Sequence, residues 1–160
     1  MDGPKKKSKK PSVTNFSKPL DGVVFFIDRS LGRKAVAEAL RQAGEKVEVH
    51  DDHLPQNAKD EEWLRYVGAL NWVALTQDDR IRFHYHEHLA LLQANVRTFV
   101  LTAKGLRGEQ NGEIIAKALP AIRRMLSKHP GPFIAKVNRG AGVTLFELPE
   151  HKKLRRKKTT

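Results

Sequence analysis

The sequence of 160 residues contains no cysteine, which excludes disulfide bonds, thiolate zinc sites and cysteine nucleophiles. Because such a chain needs no oxidising compartment, we expect a cytoplasmic location. The sequence also lacks any apolar run near the roughly 20 residues that a membrane-spanning helix needs, so no membrane association is expected. Its N-terminus is basic, but the apolar segment of a secretory signal does not follow. The length suits one folded domain.

Acidic residues are outnumbered by basic ones, 18 to 30, and the excess of positive charge lies at the two ends of the chain. Six lysines stand against one aspartate in 1–18, and six basic residues against one glutamate in 149–160, so the ends carry +10 of the net +12. We predict a basic disordered arm at 1–18, a nearly neutral domain at 19–148 and a basic disordered tail at 149–160. Such ends attract phosphate backbones, although acidic proteins and anionic membranes attract lysine equally well.

Apolar runs alternate with helical patterns through the central domain. Runs rich in β-branched and aromatic residues predict strands at 23–28, 47–49, 72–76 and 96–102, and a closing pair at 133–137 and 143–148 around the turn RGAG. Helical spacing of apolar residues predicts helices between an N-cap at Ser30 and Gly44, and at 61–70, 81–94 and 109–128. This alternation predicts an α/β fold, a single three-layer domain with a central, mostly parallel, Rossmann-like sheet.

Acidic residues collect where the predicted strands end. Six of them fall on the edge formed by the carboxyl ends of the strands: Asp28, Asp52, Asp60, Glu61, Asp78 and Asp79. Ligands bind at this edge in open parallel sheets. Crowded carboxylates repel one another unless a cation neutralises them, and their oxygen ligands suit Mg²⁺ or Mn²⁺. We therefore predict a site for Mg²⁺ or Mn²⁺ among these six acids.

Each acid also has a simpler explanation when it is taken alone. Asp60 is a good helix N-cap, Asp78 and Asp79 could cap the helix at 81–94, and Asp52 could form the turn before Pro55. Asp28 is the hardest to explain in this way, because it ends an apolar run and no helix starts on it. The convergence of several acids on one edge carries the prediction.

Basic side chains flank the acids and are candidates for contacts with substrate phosphates. They are Arg29, Arg33, Arg80, Arg82 and, after the fourth strand, Lys104. Ion pairing with the acids themselves explains these residues equally well. The segment HYHEH at 84–88 places His84 and His88 one helical turn apart, but it contains no HExxH pattern, so we interpret it as a polar helix face.

Three segments resemble a known family: FFIDRSLGRKAVAEALRQAG, DEEWLRYVGALNWVALTQDDRIR and VRTFVLT. Together they resemble a PIN-like nuclease domain, and more narrowly the compact branch of VapC-type toxins of bacterial toxin–antitoxin pairs. The resemblance covers residues 22–137. It depends most on the strand that ends in Asp28, the Asp-Glu-Glu helix start at 60–62 and the Leu-Thr-x-Asp turn at 75–78.

The resemblance implies a PIN-like fold and a Mg²⁺- or Mn²⁺-dependent endoribonuclease. Asp28, Asp60 and Asp78 would be catalytic metal ligands, Thr76 would position the cluster, and Asp52, Glu61 and Asp79 are second candidates. The implied partners are an RNA substrate and a small antitoxin protein. Fuller PIN domains carry a further acid late in the fold, for which this sequence has no clear equivalent, since Glu109 and Glu113 belong to a long amphipathic helix.

Two other classes of function remain open. A non-catalytic nucleic-acid-binding protein would use the basic arms for binding and the acids only as caps. A receiver-like phosphoacceptor module would need an aspartate at the end of the third strand, where Thr76 stands, although Lys104 matches the lysine of such modules. The 109–128 helix is expected to supply core, with a homodimer surface as the alternative.

Overall fold

The computed structural model describes residues 16–146. The predicted tail at 149–160 and the predicted arm up to residue 15 lie outside the described residues, as do the last two residues of the strand predicted at 143–148. The strands are β1 (Val24–Ile27), β2 (Lys46–Val49), β3 (Val73–Thr76), β4 (Arg97–Leu101), β5 (Phe133–Val137) and β6 (Val143–Phe146). The α-helices are α1 (Ala35–Gln42), α2 (Asp60–Ala69), α3 (Arg80–Phe83), α4 (Tyr85–Ala94) and α5 (Gly108–Lys128).

The strands form one sheet in the order β2-β1-β3-β4-β5-β6. All neighbouring pairs are parallel except β5 and β6, which run antiparallel and close the sheet with the predicted hairpin. In the register of the central strands Ile27 lies opposite Val49 on one side and Leu75 on the other. The carboxyl ends of β1, β2 and β3 therefore meet at one edge, and the predicted mostly parallel sheet is confirmed.

Helices cover both faces of the sheet, which explains why the strands read as continuous apolar runs. Phe25, Ile27 and Leu75 point to one face and pack with the apolar residues of α1 and α5. Phe26 and Ala74 point to the other face and pack with α2 and α4. Two apolar cores thus lie on either side of one sheet, and the predicted three-layer architecture is confirmed.

Helix α5 contributes to the core, as predicted, through a stripe that includes Ile115, Leu119 and Ile122. The same helix carries a buried ion pair, in which Arg123 Nη2 lies 2.6 Å from Glu45 Oε2. Arg123 also donates through Nη1 to the backbone oxygen of Phe16 at 2.9 Å. This contact attaches the start of the described chain to the helix layer. Among residues 16–146, no helix combines the length and apolar character required to cross a membrane.

Three helix starts differ from the sequence-based expectations. Ser30 does not cap α1, because it lies in a 3-10 turn at Arg29–Leu31 and α1 begins later, at Ala35. The helix predicted at 81–94 is two helices, since the backbone of His84 is extended, with ψ of 131°, between α3 and α4. Asp60 is the first residue of α2 rather than its N-cap, and its side chain binds elsewhere.

The packing of α2 against α4 depends on Gly68, and Gly68→Ala is expected to destabilise the fold. A Cβ atom at this position would lie 2.2 Å from the backbone oxygen of Ala94. Overpacking of this kind costs about 1–3 kcal/mol in the free energy of unfolding, which urea denaturation measures. Leu70→Ala, at an exposed position at the same helix end, is the control and should cost less than about 0.5 kcal/mol. Equal stability of Gly68→Ala and wild type would contradict the close contact.

Candidate active site

The candidate site is built where β1 and β3 end side by side. Asp28 directly follows β1, and its backbone N–H donates to the backbone oxygen of Leu75 in β3 at 2.9 Å. Thr76, the last residue of β3, is fully buried, and Asp28 is only 6% exposed. The parallel pairing therefore places a carboxylate and a hydroxyl together at the carboxyl edge of the sheet, as the sequence predicted.

The Asp28 carboxylate is held by a set of hydrogen bonds to one of its oxygens. Oδ2 accepts from Thr76 Oγ1 at 2.7 Å and from Ser30 Oγ at 2.8 Å. It also accepts from the backbone N–H of Ser30 at 3.4 Å, so Asp28 caps the 3-10 turn, contrary to the expectation that no helix starts on it. Among the described residues these bonds all end on Oδ2, which leaves Oδ1 for a ligand.

The two hydroxyl groups also fix the loop that follows β3. Ser30 Oγ accepts from the backbone N–H of Gln77 at 2.8 Å, and Thr76 Oγ1 accepts from that of Asp78 at 3.1 Å. Each hydroxyl can thus donate to Asp28 and accept from the loop. The family resemblance implied this positioning role for Thr76, whereas the role of Ser30 was missed. The spacing of Ser30 two residues after Asp28, typical of a local side-chain to backbone turn, was the available signal.

Asp60 and Asp78 line the same depression as Asp28, which has a volume of about 280 Å³. Asp60 accepts from the indole Nε1 of the buried Trp63 at 2.9 Å, which holds the carboxylate toward the start of α2. Burial raises the pKa of Asp60, and the negative charges of Asp78 and Asp28 act in the same direction. These three carboxylates therefore influence one another across the depression.

Arg80 lies between two of these carboxylates. Its Nη2 atom is 2.6 Å from Asp78 Oδ2 and 3.4 Å from Asp60 Oδ2. Its Nε also donates to Asp78 Oδ2 at 3.0 Å, and its backbone N–H donates to Asp78 Oδ1. Burial acts to raise the pKa of Asp78, but the hydrogen bonds and charge of Arg80 and the charge of Lys104 hold it below its usual range. The Arg80 guanidinium thus neutralises part of the negative charge of Asp60 and Asp78.

The other predicted acids lie outside the depression. Asp52 is exposed in the 3-10 turn His50–Asp52 and does not line it. Glu61 is exposed and lines a separate groove between α2 and α4. Asp79 pairs with Arg82 at 2.8 Å and with Lys104 at 3.4 Å. Half of the six acids named from the sequence are thus brought together, namely Asp28, Asp60 and Asp78.

The predicted substrate-binding cations are in ion pairs. Besides the contacts of Arg80, Arg82 and Lys104 given above, Arg33 Nη1 lies 3.1 Å from Asp51 Oδ2 and Arg29 Nε lies 3.9 Å from Asp51 Oδ1. The ion-pairing explanation of these residues is therefore present in the structure. Arg29, Arg33 and Lys104 remain about half or more exposed, so they are accessible to a ligand, and their contact with substrate stays a prediction.

The histidine segment does not form a metal site of its own. His84 lies at the break between α3 and α4, and His88 is buried with its Nε2 hydrogen-bonded to the backbone oxygen of Arg82, so the two do not form a helical pair on a polar face. Within residues 16–146 no three His, Asp or Glu side chains are grouped closely enough to hold one metal ion. Lys104 donates to the backbone oxygen of Gln77 at 2.6 Å, and Thr76 occupies the end of β3, so the geometry does not favour a receiver-like site.

Acidic side chains at the carboxyl edge of a mostly parallel sheet place the chain in the class of three-layer α/β proteins with a polar site at the strand ends. The family model described as PIN like domain matches residues 23–103, just over half of the chain. The chain therefore belongs to the PIN-like family, as its resemblance implied.

A similar protein supports the narrower assignment to the VapC-type branch of this family. The chain is 30% identical over 117 residues to the Mycobacterium tuberculosis protein named "Putative ribonuclease VapC45", a match that covers 71% of this chain and 84% of that protein. The resemblance to the VapC-type branch is thereby confirmed. No solved structure gives a significant match.

The residues of the depression fit a divalent cation. Asp60 Oδ2 is buried and makes no hydrogen bond within residues 16–146, although it lies 3.4 Å from Arg80 Nη2. A buried carboxylate oxygen without a hydrogen-bond donor is costly, and a cation removes that cost. With Asp28 Oδ1 and Asp78 it offers the hard oxygen ligands that Mg²⁺ and Mn²⁺ prefer. The side chains would have to close around the ion, and Arg80 would have to leave.

Proposed function

We propose that this protein is a Mg²⁺- or Mn²⁺-dependent endoribonuclease and the toxin of a toxin–antitoxin pair. The observation that carries the proposal is the meeting of Asp28, Asp60 and Asp78 in one depression, where a buried oxygen of Asp60 has no hydrogen-bond donor among residues 16–146. Family membership and the ribonuclease name of the mycobacterial relative support RNA as the substrate.

Each residue of the depression has a separate task in the proposed reaction. A bound Mg²⁺ or Mn²⁺ supplies a Lewis acid that lowers the pKa of a water and offsets the charge that develops on the phosphodiester. Asp28, Asp60 and Asp78 would hold that ion once their side chains close around it, and Trp63 orients Asp60 through the indole N–H. Thr76 and Ser30 keep Asp28 in one orientation and fix the loop that carries Asp78.

Basic residues around the depression bind the RNA strand in this proposal. If a metal ion held Asp60 and Asp78, the Arg80 guanidinium would be free to stabilise the charge on the scissile phosphate. Arg29 lines the same depression, and Arg33 and Lys104 are exposed, whereas Arg82 is only 14% exposed and pairs with Asp79. The small antitoxin protein is proposed to cover this acidic edge, since that would block both the metal site and the strand.

Cleavage of labelled RNA should require a divalent cation. Purified wild type is expected to cut RNA with Mn²⁺ or Mg²⁺ and to lose all cutting in EDTA, because the carboxylates alone neither activate water nor neutralise the phosphate. Gel electrophoresis of end-labelled RNA, followed over time, measures the rate. Restored cutting when Mn²⁺ is returned to the chelated sample is the control for irreversible damage.

The rival function makes a different prediction for the same samples. A nucleic-acid-binding protein without catalysis would retain RNA in a binding assay at low salt and never shorten it, whatever cation is present. Cutting that persists in EDTA would contradict the metal site and point to contaminating nuclease or metal-free chemistry. Comparison with Asp78→Asn separates these outcomes, since only a carboxylate-dependent activity is lost with that change.

A further inference from the structure

A second depression lies beside the candidate active site at the same edge of the sheet. It has a volume of about 220 Å³ and is formed by the 3-10 turns that follow β1 and β2, with Gln56 beyond them. Arg29 and His50 line both depressions, so they form the boundary between the two. A ligand in one depression is therefore a direct neighbour of a ligand in the other.

The charge of the second depression is positive. Arg29 and Arg33 face a single carboxylate, that of Asp51, which leaves one positive charge in excess. The hydrogen bond from Arg33 is the main cause that lowers the pKa of Asp51, so this acid stays ionised and its charge is already balanced. Among residues 16–146 the Arg29 guanidinium makes no hydrogen bond, and Arg33 uses only one of its five N–H donors.

His50 provides a second and independent indication of a ligand. The side chain is 2% exposed, and its Nδ1 has no hydrogen-bond partner within the described residues, where Asp51 Oδ1 lies 3.6 Å away and is likewise without one. Buried polar nitrogens in folded proteins are nearly always hydrogen-bonded. An acceptor oxygen placed in the second depression, between His50 and the arginines, would satisfy this atom.

We propose that the second depression is a subsite for a backbone phosphate of the RNA strand, adjacent to the phosphate over Asp28, Asp60 and Asp78. The inference rests on the proposed nuclease function and adds where the next phosphate binds. Forked guanidinium groups match phosphate oxygens, and the residues that line the depression include no apolar side chain on which a base would pack. A phosphate group therefore suits the depression better than a base does.

RNA binding in EDTA tests the subsite without interference from cleavage. Fluorescence anisotropy of a short labelled RNA would compare wild type, Arg33→Gln and Lys34→Gln. Lys34 is the matched control, because it is the next residue, is exposed and does not line the depression. Arg33→Gln is expected to weaken binding about tenfold and to reduce the salt dependence by about one phosphate contact. Lys34→Gln should weaken it less than about twofold.

A methylphosphonate scan locates the phosphate. Each RNA of a set carries one uncharged methylphosphonate linkage at a different position. At one position wild type is expected to lose about tenfold in affinity, whereas Arg33→Gln loses almost nothing further, because its partner is already gone. Equal losses in both proteins at every position, equal weakening by Arg33→Gln and Lys34→Gln, or no binding of RNA by wild type would overturn the subsite.

Cleavage by wild type in Mn²⁺ is scored separately, so that the two proposals fail in different ways. If wild type cuts RNA but the effects of Arg33→Gln and of the methylphosphonates on affinity are additive at every position, the nuclease proposal is supported and the subsite is contradicted. If the effects are non-additive at one position but wild type does not cut RNA, the phosphate subsite is supported and the nuclease proposal is contradicted. Circular dichroism of each variant shows whether the fold is retained, as the high exposure of Arg33 leads us to expect.

Discussion

Asp28→Asn should lower the rate of metal-dependent RNA cleavage by at least about 100-fold, because the ion that would stabilise the transition-state charge loses a carboxylate ligand. The amide has nearly the same shape and can still accept from Thr76 and Ser30 through its oxygen. It lacks the negative charge that a divalent cation requires, so the loss should lie in metal binding and catalysis rather than in folding. Initial rates at saturating Mn²⁺ measure the effect, and thermal unfolding checks the fold.

Asp21→Asn is the matched control for this substitution. It makes the same chemical change at an exposed residue before β1, at the opposite end of the strand from Asp28. We expect activity within about twofold of wild type, as for a surface substitution away from the site. If Asp28→Asn cuts RNA as fast as Asp21→Asn does, the carboxylate is a structural cap of the 3-10 turn and the active site lies elsewhere.

The fold could be predicted because each of its elements is specified locally. The run that forms β1 is apolar at every position, and only a strand covered on both faces accommodates such a run without exposing half of it. The alternation of such runs with amphipathic helices then permits few arrangements other than a parallel sheet. The break at His84 could not be predicted in this way, because apolar spacing continues across it from Ile81 to Leu91.

The sequence could predict the position of only those site residues that directly follow a strand of the sheet. Asp28 and Asp78 follow adjacent parallel strands, so sequence alone brings them to one edge. The direction of a side chain in a loop depends on tertiary contacts that no pattern records. Asp60 turns inward because of its bond to Trp63, whereas the adjacent Glu61 points to another groove. Asp52 is likewise exposed and lines neither depression, whereas the adjacent Asp51 lines the second one.

The contact of Arg80 with both Asp60 and Asp78 was the part of the site least predictable from the sequence. It leads to a prediction in which Mn²⁺ affinity and the cleavage rate change in opposite directions. Arg80→Gln is expected to strengthen Mn²⁺ binding and at the same time to slow RNA cleavage. In wild type the guanidinium neutralises Asp78 and Asp60, so a metal ion has to displace it. Because Arg80 is 56% exposed, solvent screens this pairing, and we expect a gain in Mn²⁺ affinity of only about threefold.

The loss of cleavage should be larger than the gain in metal affinity. If a metal ion held the carboxylates, Arg80 would be free, like Arg29 in the same depression, to stabilise the charge on the scissile phosphate, and its removal should cost about 100-fold in kcat. Isothermal titration with Mn²⁺ measures affinity without RNA, and cleavage at saturating Mn²⁺ isolates the catalytic effect. Arg80→Lys keeps the charge and should recover part of the rate, since a lysine lacks the planar fork.

Arg82→Gln is the control for the metal titration. This substitution also removes an arginine from an acid, Asp79, which keeps Lys104 at 3.4 Å and does not line the depression, so the Mn²⁺ affinity of Arg82→Gln should equal that of wild type. Weaker Mn²⁺ binding by Arg80→Gln would mean that the arginine arranges the carboxylates for the ion instead of competing with it. Equal gains in Mn²⁺ affinity in Arg80→Gln and Arg82→Gln would mean that the effect comes from the change in net charge and not from the release of Asp60 and Asp78. A gain in Mn²⁺ affinity that is confined to Arg80→Gln, together with slower cleavage, is the result expected if Arg80 leaves Asp60 and Asp78 on metal binding and contacts the phosphate instead.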